Sequence, residues 1–424
     1  MKVSGFSRYS LCLSIGIAML AGCGVLPLSL SKGQDDSRPP IGAPGTMPQT
    51  HTLGARGKST NYKVLYRFFG APDGDRAHAS LIDVHGTLYG TTAYGGTANR
   101  GTIFSVTKSG AEKVLYSVKR KPDGALPEAS LIDVKGTLYS TTEVGGSYYY
   151  SFYSDGGTVF SVTTSGVEQV LHSFGHRTDG LFPAASLFDG SRRLYGTTTM
   201  GGKYNCGTVF SITTSGSEKV RYSFARGTDG CQPVAGLIAV SGTLYGTTSQ
   251  GGAYGYGTVF SITASGSEKV VYSFAGGTDG SSPTAGLIDE GGTLYGTTSS
   301  GGTNGNGTVF SITTSGSEKV VYSFAGGTDG SEPMAGLIDV GGTLYGTTAD
   351  GGSAGFGTVY SMSTGGAETV LHDFTGGSDG AYPMAALLDV AGVLYGTTPQ
   401  GGRRRIPGAC HKSIGCGTVF ALSP

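Results

Sequence analysis

From residue 62 onward the chain alternates short apolar runs with Gly-rich breaks, and the alternation repeats. In one unit the runs are Ala285-Gly286-Leu287-Ile288-Asp289, Thr293-Leu294-Tyr295-Gly296-Thr297-Thr298, Thr308-Val309-Phe310-Ser311-Ile312 and Lys319-Val320-Val321-Tyr322-Ser323-Phe324. Each is about six residues, β-branched and aromatic, with the period of two that strands require. That period places Val320, Tyr322 and Phe324 on one face and Lys319, Val321 and Ser323 on the other. The breaks Glu290-Gly291-Gly292 and Ser315-Gly316-Ser317 are tight, so the runs they join form antiparallel hairpins. The other two breaks are longer: Gly301 to Gly307, and Ala325 to Pro333 with Asp329-Gly330 inside.

The segment Leu-Tyr-Gly-Thr-Thr recurs with its Tyr at 89, 139, 195, 245, 295, 345 and 395, Ser140 replacing the Gly once. The spacings are 50, 56, 50, 50, 50 and 50 residues. Four antiparallel strands repeated seven times predict an all-β, seven-bladed β-propeller over 62–424. A β-solenoid is the competing repeat fold, but its coils are shorter and its strands pair in parallel. Lys63 to Phe68 carries the fourth-strand sequence and Gly417 to Leu422 the third-strand sequence. The N-terminal strand is therefore expected to complete the last blade and hide the open edges.

The residues before this array have no strand period. Lys2 and Arg8 flank a ten-residue apolar stretch, Leu11 to Leu20, which is too short to span a bilayer as a helix. Leu20-Ala21-Gly22-Cys23 follows, and matches a bacterial lipoprotein cleavage box. Residues 1–22 read as a signal peptide and Cys23 as the lipidated residue, anchoring the chain to a membrane. Gly24 after the Cys points to the outer membrane or cell surface. Residues 23–61, rich in Pro, Gly, Ser and Thr, read as a disordered tether.

Composition narrows the partners. Of 424 residues 77 are Gly, 14% are charged, and the formal net charge is zero, falling to near −2 once Lys2 and Arg8 leave with the signal. No basic stripe runs through the array, so nucleic acid is not an expected partner.

At Gly291-Gly292-Thr293-Leu294-Tyr295 through Tyr322 the unit resembles a kelch-type blade, with Tyr or Phe where that family favours Trp. The LYGTT…GG…GTVF unit more closely resembles the bacterial tandem repeat called GloVer, found in choice-of-anchor proteins that pair the array with various surface anchors. The resemblance covers residues 62–424 and implies an exported, surface-held propeller with no established activity. It supplies no site residues to carry over.

Chemistry carried by the repeat itself reads as structural. The Asp-Gly pairs at Asp73, Asp123, Asp179, Asp229, Asp279, Asp329 and Asp379 lack the spaced carboxylates of a calcium loop and fit ordinary turns. Asp83, Asp133, Asp189, Asp289, Asp339 and Asp389, and Glu112, Glu168, Glu218, Glu268, Glu318 and Glu368, recur in nearly every unit, as a structural group would. His172 and His372 replace Tyr in the fourth strand and read as packing residues. No metal site, cofactor or catalytic set is expected, and the chain reads as not an enzyme. Four Cys remain after Cys12 and Cys23 are assigned to the leader. The pairs Cys206–Cys231 and Cys410–Cys416 suit an oxidising location.

Function is expected where the repeats disagree, in the loop between strands two and three. It carries Tyr148, Tyr149, Tyr150, Phe152 and Tyr153 in the second unit, Tyr204 in the third, and Tyr254 and Tyr256 in the fourth. Aromatic loops with Gly and Asn on a constant scaffold suit a glycan or protein ligand, with the chain itself a monomer. The alternative is a propeller enzyme, such as a polysaccharide lyase or hydrolase, at the central-channel mouth. It would show as Asp75, Arg76 and His78 meeting residues of another unit there.

Overall fold

The structure, a computed structural model, describes residues 61–119, 121–148, 156–175, 178–402, 410 and 415–424. These form seven four-stranded antiparallel sheets, one per repeat, with the strands of the first six in sequence order. Blade 5 is typical, with strands Ile288–Glu290, Thr293–Thr298, Thr308–Thr313 and Glu318–Ser323. Blade 7 takes three strands from Leu388–Val390, Val393–Thr398 and Thr418–Ser423 and its fourth from Asn61–Arg67. The N-terminal strand thus closes the ring, as the phase of the repeat predicts.

The repeated Leu-Tyr-Gly-Thr-Thr segment has a physical reason at each polar position. A Cβ on Gly296 would lie 2.6 Å from the Phe310 ring, so Gly lets that aromatic approach the strand; blade 2, with Ser140 opposite Phe160, is the exception. The Thr297 hydroxyl donates to the carbonyl of Ala335 in the next blade, at 3.2 Å. The Thr298 hydroxyl bonds Thr308 in its own blade, at 2.8 Å. The last bond of the ring is Thr397 to Ala79, which ties blade 7 to blade 1. These hydroxyls are buried, and their pairing removes the penalty of leaving them without a partner.

Packing between blades is aromatic on aromatic. The Phe after the fourth strand meets the third-strand ring of the next blade edge to face, as in Phe68–Phe104, Phe224–Phe260 and Phe374–Phe420, with centroids 5.0–5.5 Å apart. Blade 1 departs from this: Val118 stands where the others carry Phe, and packs with Phe160 of blade 2.

Two local features differ from the simple alternating pattern. In every blade the register between strands three and four shifts by one residue, opposite Val309/Phe310 in blade 5. This bulge lets Val321 and Tyr322 both pack against the same core cluster, so Val321 does not share a solvent face with Lys319 and Ser323. The carbonyl of the bulged residue also receives the next hairpin turn. A Cβ on Gly316, at φ +100°, would sit 2.6 Å from the Val271 oxygen. Secondly, the first strand begins at Ile288, not Ala285. The residues before it approach the equivalent residues of neighbouring blades. Ser80 N–H donates to the Ser130 hydroxyl at 3.0 Å, and Ser130 N–H to that of Ser186 at 3.2 Å. A Cβ on Gly236 would lie 3.3 Å from the Ser186 oxygen, and one on Gly336 3.4 Å from that of Gly286. Equivalent residues of successive blades touch only close to the axis, so these small residues narrow the channel there.

Candidate functional site

The Asp-Gly carboxylates prove to be anchors of the blade junctions. Asp279 accepts the Tyr272 hydroxyl at 2.8 Å and the Ala275 N–H at 2.5 Å, and the Tyr222–Asp229 and Tyr322–Asp329 pairs repeat this geometry. Glu318 of the following blade faces the same pair. Burial, with the Asp279 charge adding to it, pushes the Glu318 carboxyl up to about 7. Where His replaces Tyr, the imidazole meets the same carboxylate, at 3.3 Å for His172–Asp179 and 3.5 Å for His372–Asp379. Burial lowers the His372 pKa against the pull of Asp379 and Asp373. The strand-one carboxylates cap the first hairpin: Asp289 accepts the Gly292 N–H at 3.0 Å, and Asp83 that of Gly86 at 2.6 Å.

The loops between strands two and three lie at the same end as the Asp-Gly loops. The junction is a backbone latch present in all seven blades. Arg76, Leu126, Phe182, Gln232, Ser282, Glu332 and Tyr382 occupy one repeat position, and each has φ between +55° and +61°. Their N–H groups donate to the preceding blade's loop, at Cys416, Arg100, Gly156, Cys206, Tyr256, Asn306 and Phe356, over 2.9–3.1 Å. A left-handed conformation is costly for a residue with a Cβ, and the latch bond holds it in every blade. The backbone is constant while the seven side chains all differ.

On this end lies an aromatic arc. Among the described residues the exposed large hydrophobic side chains are Tyr148, Tyr204, Tyr254, Tyr256 and Val167, the first four at 37–63% exposure. All four tyrosines belong to the loops of the adjacent blades 2, 3 and 4. The Tyr256 ring covers Gly276, and Lys203 Nζ lies 4.9 Å from the Tyr204 ring centroid. Tyr149, Tyr150, Phe152, Tyr153 and Cys23 fall outside the described residues, as do the signal and tether up to residue 60. The disulfide Cys206–Cys231 pins the blade 3 loop to the next Asp-Gly loop, with Cα atoms 4.7 Å apart. Cys410–Cys416 closes a short loop in blade 7, with Cα atoms 5.1 Å apart.

A second constellation lies toward the axis, and it is not repeated. His78 Nδ1 of blade 1 is 3.8 Å from Glu128 Oε1 of blade 2, the two side chains being 11% and 17% exposed. Arg76 lies over the Tyr94 ring at 5.2 Å. Burial, aided by the Arg76 charge, pushes His78 down to about 4. Burial and the neighbouring Glu143 raise Glu128 well above the carboxylate range while Arg76 opposes them, and burial takes Glu143 up to about 7. Asp75, Arg76, Glu128 and Glu143 all act electrostatically on Tyr94. In blades 3, 4, 5 and 7 the positions of His78 and Arg76 hold Ala184 and Phe182, Val234 and Gln232, Thr284 and Ser282, and Met384 and Tyr382. The position of His78 is visibly variable in sequence. Glu143 carries no such signal, because its approach to Glu128 depends on the latch.

No curated protein matches the chain. Two solved structures, each described as a "putative 6-phosphogluconolactonase", are similar to it. The one from Bacteroides uniformis is 14% identical, with TM-score 0.49, covering 79% of this chain and 98% of its own. The one from Bacteroides fragilis is 18% identical, with TM-score 0.44, covering 73% and 86%. A puromycin hydrolase structure is 13% identical, with TM-score 0.40, covering 79% and 61%. These structures bear the names of enzymes, contrary to the expectation that the chain is not an enzyme. With TM-scores below 0.5, the likenesses supply no reaction in its place. The sequence itself matches the Gloeobacter/Verrucomicrobia repeat over residues 52–210, 114–299 and 189–410. The chain belongs to the Gloeobacter/Verrucomicrobia repeat family.

Proposed function

We propose that this protein is an exported recognition propeller, lipid-anchored through Cys23 by way of the tether 23–61, whose loop end binds a glycan as a monomer. The single observation that carries the reading is the tyrosine arc on three adjacent blades, Tyr148, Tyr204, Tyr254 and Tyr256. Tyrosine presents an apolar face for stacking on a sugar ring and a hydroxyl for hydrogen bonding, at small entropic cost. Tyr149, Tyr150, Phe152 and Tyr153 lie in the same loop as Tyr148 and extend the aromatic run in sequence. A glycan array probed with the chain, and with a variant carrying Tyr148, Tyr204, Tyr254 and Tyr256 changed to Ser, tests it. Binding by the chain and none by the variant supports the reading. No glycan bound by the folded chain removes it in favour of a protein ligand.

One observation favours a second reading, a polysaccharide lyase or hydrolase acting at the channel mouth. The cross-blade group His78, Arg76, Glu128 and Glu143 meets the condition of converging, non-repeated polar side chains. Release of reducing ends or of unsaturated products from polysaccharides by the chain, absent in Glu128→Gln, supports that reading.

A further inference from the structure

We infer that Cys206–Cys231 is a redox-active disulfide, opened by a dithiol that attacks Cys231 while Arg226 holds the departing Cys206 sulfur as a thiolate. The inference concerns the clamp on the blade 3 loop and goes beyond the glycan reading, on which it does not depend.

A residue out of place leads there. Arg226 has φ 71° and ψ 176°, a region essentially reserved for Gly. The same position holds Gly70, Gly276, Gly326 and Gly376 elsewhere in the ring, at φ 70–77°. In blades 4, 5 and 6 the side chains of Tyr256, Asn306 and Phe356 lie on those glycines, 2.6–2.8 Å from where a Cβ would stand. Blade 3 has the smaller Cys206 in their place, which leaves room for a side chain. Arg226 turns onto the sulfur, its Nε donating to Cys206 Sγ at 3.4 Å. Among the described residues no carboxylate forms an ion pair with Arg226. Asp229, three residues on, is taken up by the Tyr222 hydroxyl and the Ala225 N–H. The cation is therefore left to the disulfide.

Exposure and charge select the same sulfur for attack. Cys206 is fully enclosed, while Cys231 is 4% exposed. The bond lies just under the loop surface, since residues 203–205 before Cys206 and 225–228 before Cys231 are exposed. An external thiolate attacks Cys231 Sγ and the S–S bond breaks. Its electron pair leaves on Cys206 Sγ beside the guanidinium, which stabilises a thiolate. The second thiol of the reductant, losing its proton to water, then attacks the mixed disulfide. The reductant leaves as its own disulfide, and Cys231 departs as a thiolate that takes a proton from water. Both Cys backbones are held by bonds that do not need the sulfurs. The Gln232 N–H donates to the Cys206 carbonyl at 2.9 Å, and Cys231 exchanges two backbone hydrogen bonds with Gln250, at 2.8 and 3.1 Å. The opened thiols thus stay within reach of one another for closure.

The test equilibrates the whole chain, without denaturant, with reduced and oxidised dithiothreitol at pH 8, then alkylates it and reads each Cys pair by peptide mapping. Arg226→Gln is expected to shift the equilibrium constant about tenfold toward the disulfide, through loss of the charge that stabilises the thiolate. Arg226→Lys, which keeps a charge, is expected to stay within about threefold of the parent chain. Arg226→Gly restores the residue of the other blades and is expected to behave like Arg226→Gln, because the backbone strain is common to both redox states. Cys410–Cys416 is expected to be unmoved by all three changes. A brief exposure to glutathione, quenched with acid, is expected to leave the adduct on Cys231. Circular dichroism establishes that each variant is folded. A disulfide that resists dithiothreitol in the folded chain, an unchanged equilibrium in folded Arg226→Gln and Arg226→Gly, an equal shift at Cys410–Cys416, or an adduct on Cys206 overturns the inference.

Discussion

Tyr62 stacks face to face on His372, with ring centroids 3.6 Å apart and planes 1° from parallel, at the junction where the N-terminal strand closes the ring. Its pairing opposite Leu422 shows that Tyr62 holds the position that Glu318 holds opposite Ile312. Six junctions therefore carry a Glu there, and the closing junction carries a Tyr whose hydroxyl donates to the Asp379 backbone carbonyl. Closure by an aromatic stack avoids placing another half-buried carboxyl beside Asp379. Changing Tyr62 to Ala is expected to cost about 3 kcal/mol, as for loss of a large packed aromatic, and to be read as a lowered urea midpoint.

Tyr360 stands in blade 6 where the other blades carry Phe in the third strand. Its hydroxyl is buried without a hydrogen-bond partner and lies where Gly346 approaches the ring. Restoring the repeat residue with Tyr360→Phe is expected to stabilise the chain by about 1 kcal/mol, because a buried polar group without a partner is removed and the packing is kept. Thermal unfolding of the two proteins side by side measures it.

The junction glutamates impose a pH dependence. Burial, reinforced in each case by the adjacent Asp, holds Glu112, Glu168, Glu268, Glu318 and Glu368 at about 7, above the ordinary value of 4.5. For Glu218 the same burial acts, with His172 opposing it. A carboxyl whose folded pKa is raised contributes stability that is full below its unfolded value and lost as the pH rises through its folded value. His372 and His78, lowered by burial, act in the opposite sense below the ordinary imidazole value of 6.5. The urea midpoint is expected to be higher at pH 5 than at pH 8. The difference should shrink in a Glu268→Gln, Glu318→Gln, Glu368→Gln variant.

The Cys206–Cys231 disulfide ties together two loops 25 residues apart in sequence. Replacing both residues by Ser is expected to cost about 3 kcal/mol, by the loop-closure argument. The same change should loosen the loop that carries Tyr204. Limited proteolysis, compared in the presence and absence of reductant, is expected to cut first between Gly201 and Gly207.

The blade count, the four strands and the circular closure were legible because each leaves a periodic mark: the spacing of the Tyr, the alternation within runs, and the phase at the two ends. The two Cys pairs were legible because hairpin geometry places the loops of Cys206 and Cys231 at one end, and because Cys410 and Cys416 bracket a single loop. The bulge at Val321 was not, since Val-Val-Tyr-Ser-Phe alternates acceptably without it and only the carbonyl reaching Gly316 demands the extra residue. The Tyr272–Asp279–Glu318 contact was hidden for a different reason. Its members look like a packing residue, a turn residue and a surface charge when each is read in its own repeat. His78 with Glu128 and Glu143 was half visible, as an irregularity at one position whose partners lie in the neighbouring blade.

The latch that holds Arg76, Leu126, Phe182, Gln232, Ser282, Glu332 and Tyr382 in one backbone conformation has an evolutionary consequence. Because the main chain makes the bond, the side chain at that place is released from any duty to the fold, and selection can rewrite it blade by blade. The ring then behaves as a dial of seven interchangeable characters around an unchanging hub. A paralogue that changes only these characters would present a new vocabulary to its ligand while inheriting the same architecture intact.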